Sequence, residues 1–113
     1  MTDTIFSKII NREIPADIVY EDDDCLAFRD VNPQAPVHIL VIPKIPVAML
    51  AETADSQKEL LGHLLIVAKQ IAKNEGYGDA FRLVINNGEK AGQTVFHLHV
   101  HILAGRKFTW PPG

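Results

Sequence analysis

Between Phe96 and Leu103 the chain reads FHLHVHIL. Histidines at 97, 99 and 101 alternate with Leu98, Val100 and Ile102. A period of two belongs to an extended strand, whose side chains point to opposite faces in turn. The pattern predicts a strand over Phe96–Leu103 with three imidazoles on one side and an apolar row on the other. Such a strand fits a sheet whose apolar face packs on a helix and whose opposite face lines a cleft. A buried imidazole needs hydrogen-bond partners, so three on one face require a built polar environment.

The rest of the chain supplies the other parts of that sheet. Ile5, Phe6, Ile9 and Ile10 share one side of a short helix, with Thr2 or Asp3 as its cap and Pro15 just past its end. Asp17–Glu21 and Cys25–Arg29 read as a hairpin turning at Asp22, Asp23 and Asp24. Asn32-Pro33-Gln34-Ala35-Pro36 is a proline loop, and His38–Ile42 is a strand closed by Pro43. Lys44–Ala54 is irregular. Ser56-Gln57-Lys58-Glu59 has the capping-box pattern. Behind it Leu60, Leu61, Leu64, Ala68, Ile71 and Ala72 recur at helical spacing until Gly76 and Gly78. Phe81–Asn86 reads as a strand, Asn87–Gly92 as a glycine loop and Gly105–Gly113 as an extended tail. The expected fold is one α+β domain over residues 1–113, a mostly antiparallel sheet of about five strands with one short and one long helix packed on one face.

Composition narrows the function classes. The chain has 113 residues, 47% hydrophobic, with a net charge of −3. No run of Lys and Arg is long enough to track a phosphate backbone, which argues against nucleic-acid binding. Cys25 is the only cysteine, so intramolecular disulfides and zinc-finger cysteine pairs are out. No apolar run approaches the roughly 18 residues of a membrane span, and MTDTIFSKII lacks the features of a signal peptide. The expectation is a soluble, cytoplasmic protein.

Three readings of the histidines follow from the residues alone. They are structural, or they ligate a metal, or they perform catalysis. His-x-His on a strand can offer two nitrogens to zinc, although no carboxylate lies between Gln93 and Gly105 to orient the rings. A neutral imidazole can also attack phosphorus and carry a covalent intermediate, and it titrates near neutrality. Gly92-Gln93-Thr94 lies just upstream, where a glycine turn brings backbone N–H groups to an anion and Thr94 adds a hydroxyl.

His97-Leu98-His99-Val100-His101-Ile102-Leu103 resembles the His-φ-His-φ-His-φ-φ signature (φ apolar) of the histidine-triad superfamily. Ile5–Ile10, Glu13-Ile14-Pro15, Asn32–Pro36, Leu61–Leu64 and Trp110-Pro111-Pro112-Gly113 are similar to its nucleotide-binding Hint branch, so the likeness spans essentially the whole chain. The resemblance implies a homodimeric purine nucleoside phosphoramidase needing no cofactor or metal. It would cleave adenosine or guanosine 5′-phosphoramidates to AMP or GMP and an amine. By position, His99 is implied as nucleophile, His101 as a phosphate contact, His97 as the residue that orients His99 and His38 as the end of the relay. Asp30 is implied to bind the ribose hydroxyls, and Phe6, Ile9, Phe28 and Val31 to sandwich the purine. Asn86, Gly92, Gln93 and Thr94 would surround the phosphate, and Trp110 would reach the partner subunit. His63 is read as structural or near the dimer contact, and Cys25 as a buried small hydrophobe. Thr94 departs from the branch, where serine is common. Gln-Thr-Val resembles the dinucleoside-polyphosphate hydrolase (Fhit-type) branch, which makes that activity the enzymatic alternative. A zinc- or nucleotide-binding adaptor is the non-enzymatic one.

Overall fold

The computed structural model describes residues 3–113. Helix α1 is Ile5–Ile10, β1 Ile18–Glu21, β2 Cys25–Arg29, β3 Val37–Pro43, α2 Lys58–Asn74, β4 Phe81–Val84 and β5 Val100–Ala104. The strands form one sheet in the order β1-β2-β3-β5-β4, every neighbouring pair antiparallel. The α+β class with five strands, one short helix and one long helix is therefore the fold of this chain. Among the described residues no helix is long and apolar enough to cross a membrane.

Both faces of β2 and β3 are covered. Cys25, Ala27, Ile39 and Val41 join Val100, Ile102 and the α2 residues Leu64, Val67, Ala68 and Ile71 in one core. The residues between them, Leu26, Phe28, Leu40 and Ile42, pack on Phe6 and Ile9 of α1 in a second. The two helices thus lie on opposite faces, not on one face as expected. The signal was present in CLAF and in ILVI, where apolar residues run on without alternation because neither face of a central strand meets water.

Several boundaries differ from the sequence reading. The cap of α1 is Thr4, whose hydroxyl accepts from Ser7 N at 3.1 Å while Ser7 Oγ accepts from Thr4 N at 2.9 Å. Asp3 does not cap it, and Thr2 lies outside the described residues. No side chain caps α2 at Ser56; a short 3-10 turn over Asp55–Gln57 leads in instead, with Gln57 Oε1 accepting from Ala54 N at 2.8 Å. Strand β1 begins one residue later than expected, and β4 stops at Val84.

The largest difference is in β5, which starts at Val100 instead of Phe96. Pro43 ends the strand it would pair with, and Leu98 N donates to Val47 O at 2.8 Å in the neighbouring irregular segment. The alternation nevertheless persists. Leu98, Val100 and Ile102 are each at most 1% exposed and face α2. His101 pairs across the ladder with Leu40, and Leu103 with His38, on the α1 side.

Candidate active site

On that side the sheet and α1 enclose a cavity of about 620 Å³, with His38, His99 and His101 in its wall. The imidazoles are placed by different devices. His101 stands on β5 and His38 on β3, in adjacent strands. His97 and His99 stand in the irregular lead-in to β5, with 2% and 6% of their surface exposed. The Phe6 ring meets His99 edge-on, with centroids 5.0 Å apart at 88°.

The hydrogen bonds determine where the protons sit. Burial, which disfavours the charged form, lowers the pKa of His38, His97 and His99, and pushes His101 down to about 4. All four rings are therefore neutral at pH 7, each with one N–H and one lone pair. His99 Nδ1 lies 2.7 Å from the His97 carbonyl, which can only accept, so the His99 proton is on Nδ1. That leaves Nε2 as a free base. Among the described residues no side-chain nitrogen is both shut from solvent and unpartnered, so His99 Nε2 opens to the cavity.

His38 and His101 are fixed in the same way. Gln34 N donates to His38 Nδ1 at 3.0 Å, so the His38 proton is on Nε2. His38 Nε2 then donates to His101 Nδ1 at 2.9 Å, with Asp30 Oδ2 at 3.4 Å on its flank. His101 Nδ1 accepts, so the His101 proton is on Nε2. The rings of His99 and His101 are 4.9 Å apart. One presents a lone pair and the other a donor, an arrangement suited to attack on phosphorus beside a held phosphate oxygen. His97 is tied by Nε2 to the Pro43 carbonyl at 2.8 Å and does not line this cavity. It reaches His99 through its backbone carbonyl.

Phe6, Ile9, Phe28 and Val31 are apolar members of the cavity wall, and Asp30 lines it beside His38. The Phe6 and Phe28 rings pack edge-on at 5.4 Å, and Val31 is fully exposed at the rim. Asp30 Oδ1 accepts from Asn32 N at 2.9 Å. Gly92 and Thr94 reach the wall, and Gly92 holds φ at 98°, a left-handed conformation natural to glycine. Gln93 does not line the cavity. Its side chain is 2% exposed, with Oε1 accepting from Gly88 N and Nε2 donating to the Ala48 and Val95 carbonyls. It ties the loop down instead. Asn86 is also off the wall, though its amide lies 4.0 Å from where a Cβ on Gly92 would stand.

Ile5, Ile14, Gln34, Leu40 and Val95 line the cavity without having been singled out from the sequence. Gln34 acts through its backbone, and its only sequence signal was the pair of prolines bracketing the turn. Trp110 is 82% exposed on the tail and does not line the cavity. On the other face of the sheet His63 Nε2 lies 2.6 Å from Asp22 Oδ2. Burial pushes the Asp22 carboxyl up, but bonds from Asp24, His63, Cys25 and Tyr20 outweigh it and hold it well below the usual range. Cys25 is wholly buried, and burial raises its thiol pKa to about 12.

Comparison with known proteins agrees with this geometry. A family model for the HIT domain matches residues 11–108. An uncharacterized HIT-like protein of Synechocystis sp. is 68% identical over 111 residues, covering 98% of this chain and 97% of the relative. The 14 kDa zinc-binding protein of Zea mays is 55% identical over 112 residues, covering 97% and 88%. The crystal structure of a HIT family hydrolase from Legionella pneumophila superposes with a TM-score of 0.96 at 48% identity, covering 98% of this chain and all of that one.

Proposed function

The chain belongs to the HIT-domain family, and from that premise we propose that it is a purine nucleoside phosphoramidase. The observation that carries the reading is the tautomer pattern: His99 Nε2 free as a base, with the His101 Nε2 proton beside it. His99 Nε2 attacks the phosphorus of a nucleoside 5′-phosphoramidate, the P–N bond breaks, and the amine leaves with a proton relayed from the Thr94 hydroxyl or His101. Water then attacks the nucleotidyl-His99 phosphorus and gives its proton back to the group that protonated the amine, the P–Nε2 bond breaks, and the nucleoside monophosphate leaves with the imidazole restored. The His97 carbonyl stabilises positive charge on the His99 ring through Nδ1–H, much as a carboxylate does in a hydrolytic triad. The apolar side chains of the wall, Phe6, Ile9, Phe28 and Val31, take the purine, and Asp30 accepts from the ribose hydroxyls.

The reading includes a second copy of the chain. Leu65 and Ile66 on α2 are 44% and 49% exposed, and β4 is an unpaired sheet edge. Both features favour covering by a partner. Turnover of adenosine and guanosine phosphoramidates and of diadenosine triphosphate, measured on one preparation, tests the substrate class. Phosphoramidates should be the better substrates, and His99→Asn should lower their turnover by on the order of 10³-fold or more. Near-normal turnover by that variant would end the reading, and preference for the dinucleotide would move it to the Fhit-type activity.

A zinc-binding reading has one specific support. Donor atoms of Asp30, His38 and His101 lie within 4.8 Å of one another. Zinc there would replace the proton that His38 donates to His101, so the two readings compete for the same atoms. Phosphoramidase turnover unchanged by exhaustive chelation supports the first; stoichiometric zinc in the purified protein, with turnover suppressed by added zinc, supports the second.

A further inference from the structure

Arg106 stands two residues past β5, at the start of the C-terminal tail. Its guanidinium is fixed on two sides. Nε donates to the Gln34 carbonyl at 2.9 Å. Cζ lies 4.3 Å from the centroid of the Phe108 ring, which Arg82 also approaches at 5.1 Å. Arg82 in turn donates to Thr109 O at 3.0 Å, anchoring the tail to β4. A second contact joins tail and loop. Gly105 packs so closely on the proline loop that a Cβ there would fall 2.8 Å from Pro36 Cβ.

The residue held by Arg106 is the one that fixes the His38 proton. Gln34 is gripped at both backbone polar groups, its carbonyl by Arg106 and its N–H by His38 Nδ1. The contacts then run in series: Arg106 Nε to Gln34 O, Gln34 N to His38 Nδ1, His38 Nε2 to His101 Nδ1. A neutral His38–His101 pair has two arrangements of its protons. With Gln34 in place, His101 shows a proton on Nε2. In the reverse arrangement His38 carries its proton on Nδ1, His101 donates from Nδ1, and the His101 Nε2 presents a lone pair that would repel a phosphate oxygen.

We propose that Arg106 is a positioning residue that selects the first arrangement, so that the C-terminal tail sets the proton on His101. The kinetic consequence rests on the function proposed above, in which His101 holds a phosphate oxygen; the proton placement does not.

The test reads the imidazole nitrogens directly by long-range ¹H–¹⁵N NMR on full-length protein near neutral pH, without substrate. In the unsubstituted protein His101 should show a protonated Nε2 and a bare Nδ1. Arg106→Ala should move His38 and His101 together toward a mixture of the two forms. Arg106→Lys, which keeps a donor for the Gln34 carbonyl, should restore most of the original pattern and serves as the second variant should the alanine form fold poorly. With adenosine phosphoramidate, Arg106→Ala should lower kcat roughly tenfold with KM little changed, the size expected for one lost orienting hydrogen bond. Unaltered His101 nitrogen shifts in a folded Arg106→Ala protein would overturn the proposal. So would a lysine variant indistinguishable from the alanine one. A protein inert to every phosphoramidate that still shows the nitrogen shifts would keep this inference and lose the proposed function.

Discussion

Each of the four imidazoles around the site is held by a partner that fixes its tautomer: a carbonyl for His97 and His99, a backbone N–H for His38, and His38 for His101. Three of the four devices use backbone atoms, which makes the proton pattern a property of the fold rather than of side-chain identity. The pH behaviour follows. Burial sets all four folded pKa values below the ordinary 6.5. The unfolded chain then takes up protons that the folded chain refuses as pH drops below that value. Stability from these groups is complete above pH 6.5 and declines as pH falls toward the folded values, near 4 for His101. For the same reason the acidic limb of kcat/KM should lie below pH 6.5, the ordinary imidazole value. A pH–rate profile on a phosphoramidate checks this, and a limb at or above that value would contradict a desolvated His99 base.

At the level of elements, the segment from His97 to Ala104 joins the site to the core. Leu98 is 1% exposed against α2, and its neighbours in sequence are His97 and His99. Leu98→Ala should destabilise the domain by about 2–5 kcal/mol, as core truncations of this size do, measured by urea unfolding. Its turnover should fall as well, because the cavity left behind lets the two flanking histidines shift. This period-two row was legible in the sequence, as were the hairpin, the long helix and the glycine loop. Their patterns are local, and burial on one face writes them into the residue order. The start of β5 was not legible, because it depends on β3, ending at Pro43, being its neighbour in the sheet and on Val47 taking the Leu98 amide. The covering of both faces of β2 and β3 was written in the unbroken apolar runs CLAF and ILVI, but which helix takes which face was not, since such a run offers apolar residues to both. Phe6, Phe28, Asp30 and the histidines converge on one cavity, whereas Gln93 is polar and near the site but spends its amide on three backbone groups. Residue type and position alone do not separate those two uses.

For the whole molecule, Ile5 and Val31 are exposed apolar residues at the cavity, while the outer face of α2, the β4 edge and Trp110 on the tail are uncovered outside its wall. If a second copy covers α2, then in analytical ultracentrifugation the unsubstituted chain should sediment as a dimer and Leu65→Glu combined with Ile66→Glu should give monomers. A monomeric unsubstituted chain would remove the partner from the account. The central claim concerns one atom, His99 Nε2, and a trapped intermediate addresses it most directly. Mixing the protein with excess adenosine 5′-phosphoramidate, quenching under mildly alkaline denaturing conditions and mapping the peptides by mass spectrometry should find adenylate on His99 and on no other residue. An adduct on a different residue, or turnover through rapid-quench time points that never accumulate one while His99→Asn stays active, would contradict it.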